Sequence, residues 1–259
     1  MTNATEPALD VVLVRPRNPL NIGSAARAMA NFGLQHLTVV DAYEPHWREA
    51  RTAVEAEDLL QNASAVSTLA EAVASATLVV GTGSLTYRKP EQAIVQLPNL
   101  APHIRQELAN ATGRVALVFG SEKHGLTRED LSWCHMLVEI PTSPRQPSMN
   151  LAQAVAVCLY ELSTRAFTQS EVPAAAPTAA PATESVTSSA EARPASTELD
   201  RLATLIEEAM LAARYSPAHM RTANLHDLRL MLRRLQFSGH DLRHTLGLFR
   251  RILWRIGQK

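Results

Sequence analysis

Val115-Ala-Leu-Val-Phe-Gly120-Ser-Glu-Lys-His-Gly125-Leu-Thr127 is the stretch on which the fold turns. Five apolar residues without polar alternation read as a strand buried on both faces. The run passes straight into two glycines ahead of a helical stretch, and glycine permits sharp turns and close approach of backbone to a ligand. An ordinary strand-to-helix loop is the plain alternative. The same grammar recurs outward from this stretch, with strands predicted over residues 10–14, 36–40, 77–81 and 136–140. Helical patterns fill residues 22–32, 48–60, 68–74, 101–110 and 151–166 between them, and Gly33 is a good stop for the first. Strands alternating with helices predict an α/β domain, a parallel sheet with helices on both faces.

Residues 170–197 break the pattern with Glu171-Val-Pro-Ala-Ala-Ala-Pro-Thr-Ala-Ala-Pro and several serines. Such a composition buries too little surface to offset chain entropy, so a disordered Ala/Pro-rich linker is expected over 169–197. It divides a domain of residues 1–168 from a helical piece of 198–259. In that piece Leu225, Leu228, Leu232 and Leu235, then Leu242, Leu246, Phe249 and Leu253, recur at helical spacing, parted by Ser238-Gly239. This predicts a small all-α C-terminal domain.

The chain has 259 residues, 46% of them apolar, and a formal net charge of zero. The last 62 residues carry 11 Lys and Arg against 6 Asp and Glu, whereas the first 197 carry 14 against 19. A basic tail on an acidic body points to an anionic partner, and a solvated helical surface reads equally well from charge alone. No run is long enough for a bilayer span, and the first nine residues lack a secretory signal pattern. Cys134 and Cys158 have no redox or metal spacing, which sets a reduced cytoplasmic location as the expectation. The nine histidines show no zinc-ligand spacing, so no metal is expected. Val79-Val-Gly-Thr-Gly83 opens like a dinucleotide fingerprint, but Thr86 stands at its third glycine position.

Three segments sit at the carboxyl ends of predicted strands, where open α/β sheets bind ligands. The first runs from Arg15 to Gly33. There Asn21 is a candidate helix cap, Gly23 and Ser24 leave the first turn open to an anion, and Arg27 is a candidate phosphate clamp or a plain surface arginine. The second is the opening stretch, with Gly120, Glu122 and Gly125. The third, Ile140-Pro-Thr-Ser-Pro-Arg-Gln-Pro-Ser148-Met-Asn150, places Ser148 and Asn150 at a helix start, where capping alone accounts for both.

Together, Asn21-x-Gly23-x-x-x-Arg27, Phe119-Gly120-x-Glu122-x-x-Gly125-Leu126 and Ser148-Met149-Asn150-Leu151-Ala152 resemble, in order, the three motifs of the SpoU/TrmH (SPOUT) family of RNA ribose 2′-O-methyltransferases. Met149 replaces the usual leucine, a volume-conserving change. The resemblance implies a C-terminal trefoil knot, a homodimer, and S-adenosylmethionine (AdoMet) as cofactor. It implies AdoMet contacts from Thr82, Gly83 and Ser84, from Gly120, Glu122 and Gly125, and from Ile140, Pro147, Ser148, Met149 and Asn150. Glu122 and Asn150 would also shape the pocket and the dimer interface. Arg27 and Ser148 become the catalytic pair, Arg27 holding the phosphate and Ser148 orienting the ribose hydroxyl. A catalytic domain followed by a linker and a basic helical tail is similar to the branch acting on tRNA at nucleotide 32, a pyrimidine just 5′ of the anticodon. Arg27, Arg88, Arg233 and Arg234 are then the expected RNA contacts, with a plain loop arginine the equal reading of Arg88. Siblings acting on ribosomal RNA or another tRNA loop often carry an N-terminal RNA-binding domain, for which the nine residues before the first strand leave no room. A non-catalytic RNA-binding relative would show a degraded first or third motif, and here Asn21, Arg27, Ser148 and Asn150 are all present.

Overall fold

The computed structural model describes residues 8–84, 90–167 and 192–258. Seven strands form one parallel sheet: β1 (Leu9–Val14), β2 (Leu37–Val40), β3 (Ser64–Val66), β4 (Leu78–Thr82), β5 (Ala93–Gln96), β6 (Val115–Phe119) and β7 (Met136–Glu139). Their order is β3-β2-β1-β6-β4-β7-β5, so the fold-deciding strand β6 lies mid-sheet between β1 and β4, with Val11 opposite Leu117 and Val80 opposite Leu117. Because side chains alternate, β1 feeds both layers. Leu9, Val11 and Leu13 pack with Ile22, Met29 and Leu159 on one face, while Val12 and Val14 pack with Leu69, Val118 and Trp133 on the other.

Two strands escape the sequence reading, β3 and β5. Both are sheet edges whose residues are mostly exposed, so neither carries the buried apolar run that marks a central strand.

The helices of this domain are α1 (Pro19–Asn31), α2 (Glu57–Asn62), α3 (Leu69–Ala72), α4 (Ala101–Leu108), α5 (Arg128–Ser132) and α6 (Leu151–Leu162). The predicted helix over 48–60 is instead a 3₁₀ turn at Trp47–Glu49, an irregular stretch with Glu55 at φ 61°, and then α2. That stretch lies directly against α1. A Cβ on Gly23 would stand 2.5 Å from Thr52 Oγ1, so Gly23 serves helix packing and not the open anion contact expected of it. The predicted helix over 151–166 ends at Leu162 and continues as a π turn at Ser163–Phe167. Here the Ser163 and Thr164 hydroxyls donate to the Tyr160 carbonyl at 2.9 and 3.0 Å, competing with regular helix bonds.

Three further helices, α7 (Ser196–Ala212), α8 (Arg221–Arg234) and α9 (Gly239–Ile256), share a core of Leu199, Leu202, Ala203, Ile206, Leu232 and Leu242. Leu235, predicted for that stripe, is exposed. Most of the expected linker lies outside the described residues, and α7 already begins at Ser196. The helical unit is docked on the sheet domain, with Ser196 N donating to the Ala76 carbonyl at 2.8 Å. Arg229 pairs with Glu129 of α5 at 2.6 Å and with Asp200 at 2.7 Å. Among the described residues no helix is long and apolar enough to cross a membrane.

Candidate functional site at the carboxyl edge of the sheet

The loops that follow β4, β6 and β7 converge around a cavity of ≈ 240 Å³. Phe119, Leu126, Leu131 and Leu137 provide apolar walls, while Thr82, Ser84, Glu122, Lys123, Thr142 and Ser148 bring polar groups to the same cavity. Of the pocket residues read from the sequence, Thr82, Gly83, Ser84, Gly120, Glu122, Gly125, Ile140, Pro147, Ser148 and Met149 all line it.

The Gly120–Gly125 turn depends on its glycines. Gly125 N donates to the Ser121 carbonyl at 2.8 Å, closing the turn, and Gly125 sits at φ 64°. A Cβ on Gly120 would lie 2.1 Å from the Gly125 carbonyl carbon, a clash with backbone that no side-chain movement relieves. Thr127 and Asp130 then form a capping box that starts α5, and Asp130 also pairs with Arg15 from the loop after β1.

Asn150 does not line the cavity. It caps α6, accepting from Ala152 N at 3.0 Å, and its Nδ2 donates to Asn21 Oδ1 at 3.0 Å. Asn21 Nδ2 in turn donates to Glu122 Oε1 at 2.8 Å. One hydrogen-bonded chain therefore ties together residues from the three sequence motifs, separated by 101 and 129 positions. The cap of α1 is Asn18, which accepts from Leu20 N at 3.0 Å, and not Asn21 as expected. Asn21 is released for the longer-range contact.

Glu122 also accepts from the backbone N–H groups of Arg17 at 2.8 Å and Asn18 at 3.1 Å. Partial burial raises its pKa. The bonds from the Asn21 side chain and the two backbone amides outweigh that effect, so the carboxyl lies below its ordinary value and stays ionised near neutrality.

Arg27 stands apart from the cavity of its own chain. It is exposed on α1, and its guanidinium bonds to no described residue. Arg88 lies outside the described residues. Arg233 is not available to RNA in this arrangement, because it is 2% exposed. Its Nε donates to the Trp133 carbonyl at 3.0 Å and its Nη2 to Ser196 Oγ at 2.8 Å, holding α8 against the sheet domain. Arg234, next in sequence, points outward and pairs with Glu91 at 3.1 Å. Lys123 and His124 also line the cavity and were passed over in the sequence as the variable positions of the second motif. Among the described residues no group of three or more His, Cys, Asp and Glu could hold a metal ion.

A parallel sheet thus carries a glycine-turned cavity at its carboxyl edge, beside which the three sequence motifs interlock. Residues 8–160 match the SpoU rRNA Methylase family, and the chain belongs to it. It is 36% identical over 158 residues to the tRNA (cytidine-2′-O-)-methyltransferase TrmJ of Methanocaldococcus jannaschii, a match covering 61% of this chain and 68% of that one. It is 42% identical over 153 residues to the tRNA (cytidine/uridine/adenosine-2′-O-)-methyltransferase TrmJ of Pseudomonas aeruginosa, covering 59% of each. The match thus spans less than two thirds of the bacterial relative's length. Among solved structures, TrmJ from Z. mobilis ZM4 superposes with a TM-score of 0.76 at 27% identity, covering 94% of this chain and 98% of that one. A probable methylase family protein from Haemophilus influenzae gives a TM-score of 0.57 at 25% identity, covering 97% and 98%.

Proposed function

We propose that this protein transfers a methyl group from AdoMet to a ribose 2′-hydroxyl of tRNA, at the pyrimidine just 5′ of the anticodon. The observation that carries the proposal is the Asn150–Asn21–Glu122 chain, which gathers the three motifs beside a cavity suited to a nucleoside-like ligand. Its apolar walls suit a flat base, and its polar groups suit an amino-acid moiety. The loops at Thr82–Ser84, Gly120–Gly125 and Ile140–Met149 are assigned to AdoMet, which when bound supplies an electrophilic methyl on sulfur.

The residues themselves do the positioning. Ser148 lines the cavity and is exposed, so its hydroxyl is placed to orient the ribose 2′-oxygen. Arg27 carries a planar guanidinium whose fork matches a phosphate. It is assigned to clamp the neighbouring phosphate and to offset negative charge developing on the attacking oxygen. Since Arg27 lies outside its own cavity, we assign it to the cavity of a second copy, in a homodimer built on α1 and α6. The exposed Leu20 and Tyr160 on those helices support such a contact. The family reading carries with it the trefoil knot, a reduced cytoplasmic setting, and tRNA binding by the exposed arginines of α9.

The test incubates the purified chain with labelled AdoMet and unmodified tRNA and then maps the modified nucleotide. Label on one anticodon-loop ribose is expected. Label confined to ribosomal RNA or to another tRNA loop would redirect the proposal, and no label on any RNA would reject it.

A further inference from the structure

Among the described residues four arginines lie over aromatic rings: Arg17 on Tyr43, Arg48 on Trp47, and Arg229 and Arg233 on Trp133. Three of them are also tied to protein acceptors. Arg48 donates to the Ala63 carbonyl, Arg229 to Asp200 and Glu129, and Arg233 to Trp133 and Ser196. Arg17 differs. Its guanidinium stands 4.7 Å from the Tyr43 ring centroid and donates to no described acceptor, and Tyr43 is 65% exposed.

This pair is held firmly by backbone. Tyr43 N donates to the Pro16 carbonyl at 3.1 Å, and Arg17 N donates to Glu122 at 2.8 Å. The strands beneath end in residues of left-handed conformation, Arg15 at φ 48° and Asp41 at φ 46°, which turn the chain outward at this edge. Neither Arg17 nor Tyr43 lines the cofactor cavity, yet Glu122 does, so the pair sits on the cavity's rim. Arg15 nearby is paired with Asp130, whereas Arg17 and Arg27 have no acidic partner among the described residues.

We propose that Arg17 and Tyr43 form a stacking subsite for an unpaired RNA base beside the target nucleotide, with the Arg17 guanidinium binding the adjoining phosphate. An aromatic face with an adjacent free guanidinium is what a single-stranded nucleotide requires, since every base has a π-face and every linkage a negative charge. This rests on the RNA reading given above and deepens it by naming a loop nucleotide as ligand. Because Glu122 is held by the Arg17 backbone and not its side chain, substitution of Arg17 leaves the motif chain in place.

The experiment measures binding of fluorophore-labelled unmodified tRNA by anisotropy, AdoMet affinity by calorimetry, and methyl transfer, all on the full chain. Tyr43→Ala and Arg17→Ala should each raise the tRNA Kd and KM by roughly tenfold, from the typical worth of one stacked base, with AdoMet affinity and kcat unchanged. Tyr43→Phe should behave as the parent. Arg17→Ala should also lower the salt slope of log Kd by about one, and Tyr43→Ala should leave it unaltered. The subsite is refuted by parental tRNA affinity in either alanine variant, by equal losses in Tyr43→Phe, or by a parallel fall in AdoMet affinity. If the parent binds tRNA with this mutational pattern yet transfers no label, the activity fails and the subsite stands. If transfer is normal and Tyr43→Ala binds as the parent does, the subsite alone fails. A parent chain with no affinity for tRNA overturns both.

Discussion

Replacing Arg233 by alanine should release the C-terminal helices from the sheet domain. Its guanidinium is pushed down to about 10 by burial, so at neutral pH it is still a cation, and it lies 5.1 Å from the Trp133 ring centroid. Removal leaves the Trp133 carbonyl and the Ser196 hydroxyl without this donor, and Ser196 is fully buried. Each stranded polar group costs about 1–3 kcal/mol. Two such groups total about 2–6 kcal/mol. For a chain of this size that corresponds to roughly 4–24 °C in Tm, if unfolding is cooperative. Arg233→Lys should recover little of it, because an ammonium cannot reproduce the fork reaching both acceptors. Thermal unfolding and amide hydrogen exchange over α8 provide the assay. Unchanged exchange in α8 together with a Tm within 2 °C, taken as about half a kcal/mol, would refute the docking role. A salt slope for tRNA binding lowered by about one, with stability intact, would show instead that Arg233 meets phosphate.

Gly120→Ala should abolish AdoMet binding in calorimetry, since the new Cβ meets backbone at 2.1 Å and forces the turn open; retained affinity would contradict the turn's role. Arg27→Ala should abolish transfer with AdoMet affinity nearly intact, Ser148→Ala should also abolish transfer, and mixing the two inactive proteins should restore activity through hybrid dimers that hold one complete site. Failure of mixtures to regain activity under subunit exchange would sink the shared-site assignment. His135 is half-buried, and desolvation lowers its pKa well below 6.5, the positive charges of Arg233 and Arg193 acting in the same direction; its Nδ1 accepts from Val79 N at 3.0 Å. The unfolded chain therefore takes up the proton first as pH falls below 6.5, and stability should decline by up to about 1.4 kcal/mol per pH unit there. Unfolding titrations of His135→Gln should show a shallower decline, and an unchanged slope would assign the effect elsewhere.

The central strands and the cavity loops could be read from local pattern alone. A strand buried on both faces must be apolar throughout, and a strand-to-helix turn at a ligand site needs residues such as Gly120 and Gly125, so the information sits within a few neighbouring positions. The edge strands β3 and β5 were not legible, because an edge needs no continuous buried face. Asn21 looked like a cap for the same local reason, since an amide side chain near a helix start satisfies free N–H groups wherever it stands. Only the folded chain shows Asn18 taking that task and Asn21 bridging Glu122 to Asn150. Arg233 and Arg234 are adjacent and alike in sequence, yet one is sealed against Trp133 and the other faces solvent. Arg27 carries the right spacing and still lies outside its own cavity. Periodicity and turn chemistry are properties of short segments. Which polar groups meet, and which charges are withdrawn from water, depends on packing between residues a hundred positions apart.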